Sequence, residues 1–483
     1  MPFAARLAML LALLGTTVGA AGRSDLQALL ERMRAAAGPV WSTHFVSVSR
    51  LDVDSDQTVV ETDSGGVRFT LRRCSGELCN GTYFDGYRLY TVDINGTALP
   101  QSRDAEPYLR SLRLIASLAF LAPAFAEGGR RVDDDGVATI DGKRYRTFFL
   151  VDPDAIPMQI FVDPQTALIR YARDVNGDDT FEYADYRRVD GFSVPFEVLH
   201  NGSVLERYDD RTPVGTDFHP PHGPMPRFDG APQPIKTDPA SPTPVFPCEL
   251  AGVGARCLLD TGNSGLSVSS ELASQLDAPV VGSFAVRGLG GYQTQVVRAG
   301  PLRIGNATYP QANYVVLSDI RRYGYDVVLG ADVLGTTAIE IDAANHTLLL
   351  GAQPAAGAVA VPLAFENFVP VVNVQLGTLD AQLAVDTGDE SDINLAYAFY
   401  QAHPGLFTIT HTRAVGGVGG ASVEYIGQIQ HVGIGNLSTG PVSIGATKTL
   451  RGTASGHVGA AFLSRFKVLL DYAGGVLMLS PKP

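Results

Sequence analysis

Asp260-Thr261-Gly262 and Asp386-Thr387-Gly388 are one tripeptide occurring twice, each at the end of an apolar run of strand character. Two carboxylates held roughly 3 Å apart cannot both ionise, so they keep one proton between them near neutral or acidic pH. Such a pair supplies a base and an acid together. The ionised carboxylate takes a proton from a water attacking a carbonyl, while its protonated partner hydrogen-bonds and protonates the carbonyl oxygen. Neither role belongs permanently to either residue, because the pair titrates as a unit. Glycine at the third position lets backbone approach closely, and the threonine hydroxyl can bond across the axis to hold both loops rigid.

The segments that must position these carboxylates repeat as well. Pro244 to Gly262 lies over Pro370 to Gly388 without a gap, an offset of 126 residues. Gly288, Gly290 and Gly291 fall over Gly417, Gly419 and Gly420 at offset 129, and Gly305 falls over Gly435 at 130. Val328 to Leu334 matches His457 to Leu463, and Asp342 and Asp471 each follow twelve residues after the shared glycine. Four blocks kept in order identify a tandem duplication of one structural unit.

From Pro244 to the C-terminus, about half of the chain, the pattern resembles the retropepsin-like aspartic proteases, with two lobes in one chain as in pepsin. The resemblance implies two pseudo-symmetric β-barrel lobes, residues 244–355 and 356–483, divided near Gly351 to Ala360. It implies Asp260 and Asp386 as the catalytic dyad, supported by Thr261, Gly262, Thr387 and Gly388. The hairpins around Gly288, Gly290, Gly291 and around Gly416, Gly417, Gly419, Gly420 would be flaps over a peptide or protein substrate, with Tyr292 supplying a ring. One departure is electrostatic: Asn263 and Asp389 stand where that family carries Ala or Ser, and Asp389, Glu390 and Asp392 crowd charge beside Asp386. Pointing inward, they would raise the dyad's apparent pKa; pointing outward, they would select basic or polar substrate side chains.

The whole chain reads as mainly β. At 483 residues it suggests about two to four domains. A net charge of −13 argues against nucleic acid and anionic membrane surfaces as partners. Arg6, the apolar run Leu7 to Leu14 and the small residues Gly19-Ala20-Ala21 read as a signal peptide over residues 1–21, hence an exported chain, periplasmic or secreted. Four cysteines suit that setting. Cys248 and Cys257 flank a hairpin centred on Gly252-Val253, which places them opposite each other, and Cys74 and Cys79 bracket a second short turn. No CxxC or HExxH pattern points to a metal, and no cofactor is implied.

Residues 22–210 have a different grammar. Ser24 caps a helix over Asp25 to Ala37 with Leu26, Leu29, Leu30 and Met33 on one face, and a second helix runs over Pro107 to Leu121. Alternating stretches such as His44 to Val53, Gly66 to Cys74, Arg144 to Asp152 and Met158 to Asp163 read as strands, and Tyr183 to Glu197 as two strands joined at Asp190-Gly191. This α+β pattern resembles the lipoprotein-carrier half-barrel fold, a curved antiparallel sheet around a helix, and implies a lipid or apolar ligand. An ordinary spacer domain fits equally. Asp174 to Asp179 is better explained as a hairpin turn than as a calcium loop. Residues 211–243, rich in Pro, read as an extended linker.

Three readings stay open on sequence: an exported endopeptidase acting as a monomer with intramolecular lobe pairing, a silent peptide-binding protein on the same scaffold, and an apolar-ligand carrier with a regulatory protease-like half.

Overall fold

The computed structural model describes residues 20–49, 57–62, 68–101, 106–214, 218–287, 290–318, 320–448 and 454–482. Residues 1–19 of the expected signal peptide 1–21, and Gly288, lie outside them. The fold is mainly β, with five sheets among the described residues, and these are open where closed barrels were expected. The chain forms two compact units, one comprising residues up to Leu71, Phe84–Tyr87 and Asp104–His219, the other Arg72–Tyr83, Arg88–Arg103 and Pro220–Pro483. The expected boundary near residue 210 therefore misses two excursions of the N-terminal half, which belong to the second unit.

In the first unit a seven-stranded antiparallel meander runs from Arg131–Ile140 to Ser203–Arg207 in sequence order. Its hairpin at Asp190-Gly191 turns as expected, with Val189 opposite Phe192 and both turn residues at positive φ, 47° and 92°. The Asp174 to Asp179 segment is likewise a hairpin turn, in which the Asp179 N–H donates to Asp174 Oδ1 at 3.0 Å. One helix spans Ala20–Ala37, so Ser24 lies inside it and is not its cap. Leu29, Leu30 and Met33 are buried with Ile115, Phe120, Phe148, Ile160 and Phe181 in one core, as the i, i+3, i+4 spacing of the helix requires. Gly38 ends the helix at φ 75°, its N–H returning to Arg34 O at 3.0 Å. The cavity this core leaves, lined by residues including Met33, Ile115, Leu121 and Tyr183, holds about 20 Å³, roughly the space of one water.

In the second unit two sheets repeat one topology. Val245–Leu250 and Val253–Leu259 form a hairpin, and the second of these strands lies parallel to Val327–Leu329. Val369–Leu376 and Leu379–Asp386 do the same beside Gly456–Gly459. In each copy a further short strand, Leu266–Ser269 or Ile393–Ala396, runs antiparallel to that central strand on its other side. Between the two copies lies a six-stranded sheet whose centre pairs Ile339–Asp342 with Phe466–Asp471, Ile341 opposite Val468. One continuous apolar core runs through both copies.

The expected linker 211–243 is, among its described residues, tied to the second unit by two short strands. Arg227–Phe228 adds a strand to Ala307–Tyr309, and Ile235–Lys236 adds one to Thr347–Leu350. Both disulfides form, Cys74 to Cys79 and Cys248 to Cys257. The second is diagonal. The hairpin turns at Ala251-Gly252, both at positive φ (52° and 84°), one residue earlier than expected, so Cys248 faces Ala255 and Cys257 faces Phe246. A Cα separation of 5.8 Å still lies within bridging range.

Candidate active site

Asp260 follows the strand Val253–Leu259, and Asp386 ends the equivalent strand Leu379–Asp386. Both strands are buried by their apolar residues: Cys257, Leu258 and Leu259 in one, Leu383, Ala384 and Val385 in the other. The two loops are then locked by four crossed hydrogen bonds. Thr261 N–H donates to Thr387 Oγ1 at 3.1 Å and Thr387 N–H to Thr261 Oγ1 at 2.9 Å. Thr261 Oγ1 in turn donates to Val385 O at 2.5 Å, and Thr387 Oγ1 to Leu259 O at 2.8 Å. Each hydroxyl thus accepts once and donates once in a buried position, a fully satisfied network of the kind that rigidifies a site. Valine at either threonine would orphan a buried N–H and a buried carbonyl.

The glycines bring the carboxyls together. A Cβ at Gly262 would lie 2.7 Å from the Asp386 carboxyl, and one at Gly388 would lie 2.6 Å from the Asp260 carboxyl. No other residue permits that approach, so the third letter of the repeated tripeptide is dictated by packing across the axis. Asp260 Oδ1 accepts from Gly262 N–H at 2.8 Å. Asp386 Oδ1 accepts two amides, Gly388 N–H at 2.9 Å and Asp389 N–H at 3.1 Å. Burial, then the charge of Asp386, pushes the Asp260 carboxyl well above the carboxylate range. Burial also raises Asp386, where attraction to His457 opposes the rise and Asp389 adds to it.

The acidic residues beside Asp386 take three different positions. Asp389 turns inward, its Oδ2 3.6 Å from His457 Nδ1. Burial pushes its carboxyl up, but the His457 bond and charge and the Ser391 N–H together hold it below the usual range. Asp392 is paired to Arg465 at 3.0 Å, and Glu390 is exposed. Only Asp389 therefore acts on the dyad from close range.

The two glycine hairpins, Val280–Arg287 with Gly291–Ala299 and His411–Gly417 with Gly420–Ile429, meet at their tips. Gly290 and Gly419 approach so closely that a Cβ at either would strike the other's backbone. Gly417 pairs with Gly420 to close the second turn, and Gly419 sits at φ 82°. Tyr292, opposite Val286, joins Val286, Val315, Tyr325 and Val418 around a small core of Val245, Leu258, Leu317, Ile320 and Val328. Its half-buried ring thus packs at the edge of that core, on the hairpin itself.

Three residues near the dyad escaped the sequence reading. His457 Nδ1 lies 3.3 Å from Asp386 Oδ2. Tyr325 is raised by burial and then by the charges of Asp260, Glu390 and Asp386. Tyr472 is fully buried, and burial followed by Asp260 and Asp386 raises its hydroxyl. The signal for His457 was present: the repeat lays it over Val328, an imidazole at a position its twin fills with an apolar side chain. Donor atoms of Asp386, Asp389 and His457 lie within 4.8 Å of one another. We read the trio as an ion-paired histidine rather than a metal centre, since one ring nitrogen is directed at both carboxylates.

The arrangement can hold one proton between two carboxyls in a rigid, partly desolvated frame, the requirement for paired acid and base catalysis by water. No curated protein matches the chain. Residues 246–333, which carry Asp260, the first glycine hairpin and the strand Val327–Leu329 behind it, match the family model for aspartyl proteases and form an aspartyl protease-like domain.

Proposed function

We propose that the protein is an exported aspartic endopeptidase whose Asp260 and Asp386 form one shared-proton dyad. The observation that carries this is the contact of each carboxyl with the opposite loop's glycine, inside the reciprocal Thr261 and Thr387 bonds. A water held by the pair loses a proton to the ionised carboxylate as its oxygen bonds to the peptide carbonyl carbon. The protonated carboxyl gives its proton to the carbonyl oxygen. Collapse of the resulting diol returns a proton to the amide nitrogen and breaks the C–N bond. The glycine hairpins supply extended backbone for a substrate strand, a mode of peptide binding in which main-chain hydrogen bonds carry affinity.

Raised pKa values of both carboxyls keep the singly protonated form into less acidic conditions than isolated aspartates would allow, so cleavage is expected in mildly acidic to near-neutral solution. Export accords with two disulfides. Among the described residues no helix is long and apolar enough to cross a membrane. The test is cleavage of a mixed peptide library between about pH 3 and 7 by the parent, Asp260→Asn and Asp386→Asn, each checked for folding. Loss in both variants supports the reading. A folded parent that cleaves nothing at any pH would leave a peptide-binding protein on the same scaffold.

A further inference from the structure

The duplication makes the two halves of the site directly comparable, and they are not equivalent. Where the first copy has Asn263 and Val328, the second has Asp389 and His457. Val328 is buried among apolar neighbours. Asn263 donates to Gly265 O at 2.7 Å, a turn bond with no charge. In the second copy the same two places hold an acid and a base, with His457 Nδ1 at 3.3 Å from Asp386 and 3.6 Å from Asp389. Asp386 also accepts two amide N–H groups to the one accepted by Asp260. The imidazole and the extra amide favour negative charge on Asp386, while Asp389, which by itself would oppose it, holds the imidazole in its charged form.

We propose that His457, held by Asp389, is a positioning residue that breaks the symmetry of the dyad, keeping Asp386 ionised as the base and leaving the shared proton on Asp260 as the acid. Resting on the peptidase reading above, it assigns the two roles that the symmetric frame leaves undecided. His457 sits on Gly456–Gly459 between two strands, opposite Ala384 and Asn394. The charges bearing on it are Asp389, Asp386 and Asp260. Farther out, Glu424 faces Asp389 and is itself bonded to Arg413 at 2.6 Å. The hydroxyls of Tyr325 and Tyr472 feel the charges of both dyad carboxyls, Tyr325 that of exposed Glu390 as well. Burial alone would discharge the imidazole, but the three carboxyls outweigh it and raise its pKa above the ordinary histidine value. The cation therefore persists to higher pH than an isolated histidine would, and its loss would release Asp386 to compete for the proton.

Asp389 explains why the histidine does not simply bond to the dyad alone. With Asp386 and Asp389 both ionised and His457 protonated, the trio carries one net negative charge. That is the charge of the singly ionised dyad without either residue. The second copy thus gains polarity without gaining charge.

The experiment has two arms on the full chain. In the first, the pH profile of kcat/KM is measured for an uncharged peptide substrate with the parent, His457→Gln, and the double variant His457→Val with Asp389→Asn, which restores the residues of the first copy. Expected is a rise of the acidic limb by about 1–3 pH units in His457→Gln, where Asp389 is left uncompensated, and a smaller rise in the double variant. A profile in His457→Gln that overlays the parent's overturns the proposal. In the second arm, the His457 ring is titrated by NMR with ¹⁵N-labelled histidine in the parent and in Asp386→Asn. A ring still protonated at neutral pH in the parent, titrating lower in Asp386→Asn, supports the contact whether or not the protein cleaves peptides. A ring neutral at pH 6 in the parent overturns it. The NMR arm separates failure of this proposal from failure of the peptidase reading.

Discussion

Among the described residues the second unit contains two close aspartate pairs, and they differ in what surrounds them. Asp260 with Asp386 is one. Asp93 with Asp332, 239 residues apart in sequence, is the other. In both, burial and the neighbouring carboxyl perturb ionisation: Asp93 is pushed well above the carboxylate range by burial and then by Asp332. Yet Asp332 is 0 % exposed and its oxygens are taken by Thr97 Oγ1 and by Asn95 Nδ2 at 2.8 Å. Asp93 Oδ1 accepts the amides of Asn95 and Thr97 at 2.9 and 2.8 Å, while its buried Oδ2 has no hydrogen-bond donor. That orphan oxygen is the place for a shared proton. Asp386, in contrast, keeps a side chain 16 % exposed. Perturbed ionisation records burial beside a like charge, and access to water decides whether it can serve chemistry.

The sealed pair has a structural task. Asn95 also accepts from Asn313 N–H at 2.8 Å and donates to Asn313 O at 3.0 Å, so the excursion Arg88–Arg103 is stitched to the helical turn Ala331–Leu334 and to the strand Ala312–Leu317. The Asn95-Gly96-Thr97 triplet, a glycosylation pattern by sequence, is consumed by this contact.

The largest expected effect breaks the comparison on activity. Asp386→Asn should lower kcat/KM by about 10²–10⁴-fold, whereas Asp332→Asn should leave cleavage by the folded protein intact; equal losses in a peptide assay would erase the distinction between the pairs. Next in size is stability. Asp332→Ala strips the acceptor from two buried donors and should cost about 3 kcal/mol, read from urea midpoints, while Asp386→Asn should cost far less because its carboxyl reaches solvent.

The smallest effect sharpens the comparison through pH. A carboxyl whose folded pKa is raised binds its proton more tightly folded than unfolded, so its contribution to stability is present below the unfolded value, about 3.9, and is lost as pH rises through the folded value. Asp93→Asn removes that proton uptake. Urea titrations from mildly acidic to neutral pH should show a shallower fall in stability for Asp93→Asn than for the parent, and an identical slope would refute a shared proton at Asp332. The profile shift expected of His457→Gln is the corresponding test at the open pair.

Much of this was legible in the residues. The tripeptides, the glycine hairpins and both cysteine pairs announce themselves locally, because each depends on turn chemistry and short spacing. Register was harder: positive φ at Ala251, not at Val253, moved one hairpin by a residue and made its disulfide diagonal. The strand Arg131–Ile140 was missed since Asp133, Asp134 and Asp135 mask its alternation, although Asp134 pairs with Arg146 at 3.1 Å on the neighbouring strand. In the extended linker expected over 211–243, prolines hide two-residue strands that exist only by pairing with distant edges.

What the sequence by itself determined is the duplicated frame: apolar strands that must be buried, each ending in Asp-Thr-Gly, with glycine where the opposite carboxyl presses. Periodicity and repetition encode that frame, since both copies obey the same local rules. Only the tertiary structure decided which charges meet. Asp93 finds Asp332, Asp389 turns inward to His457, and Asp392 turns away to Arg465. Such pairings depend on the balance of desolvation against attraction at one point in space, and neither spacing nor composition along the chain carries it.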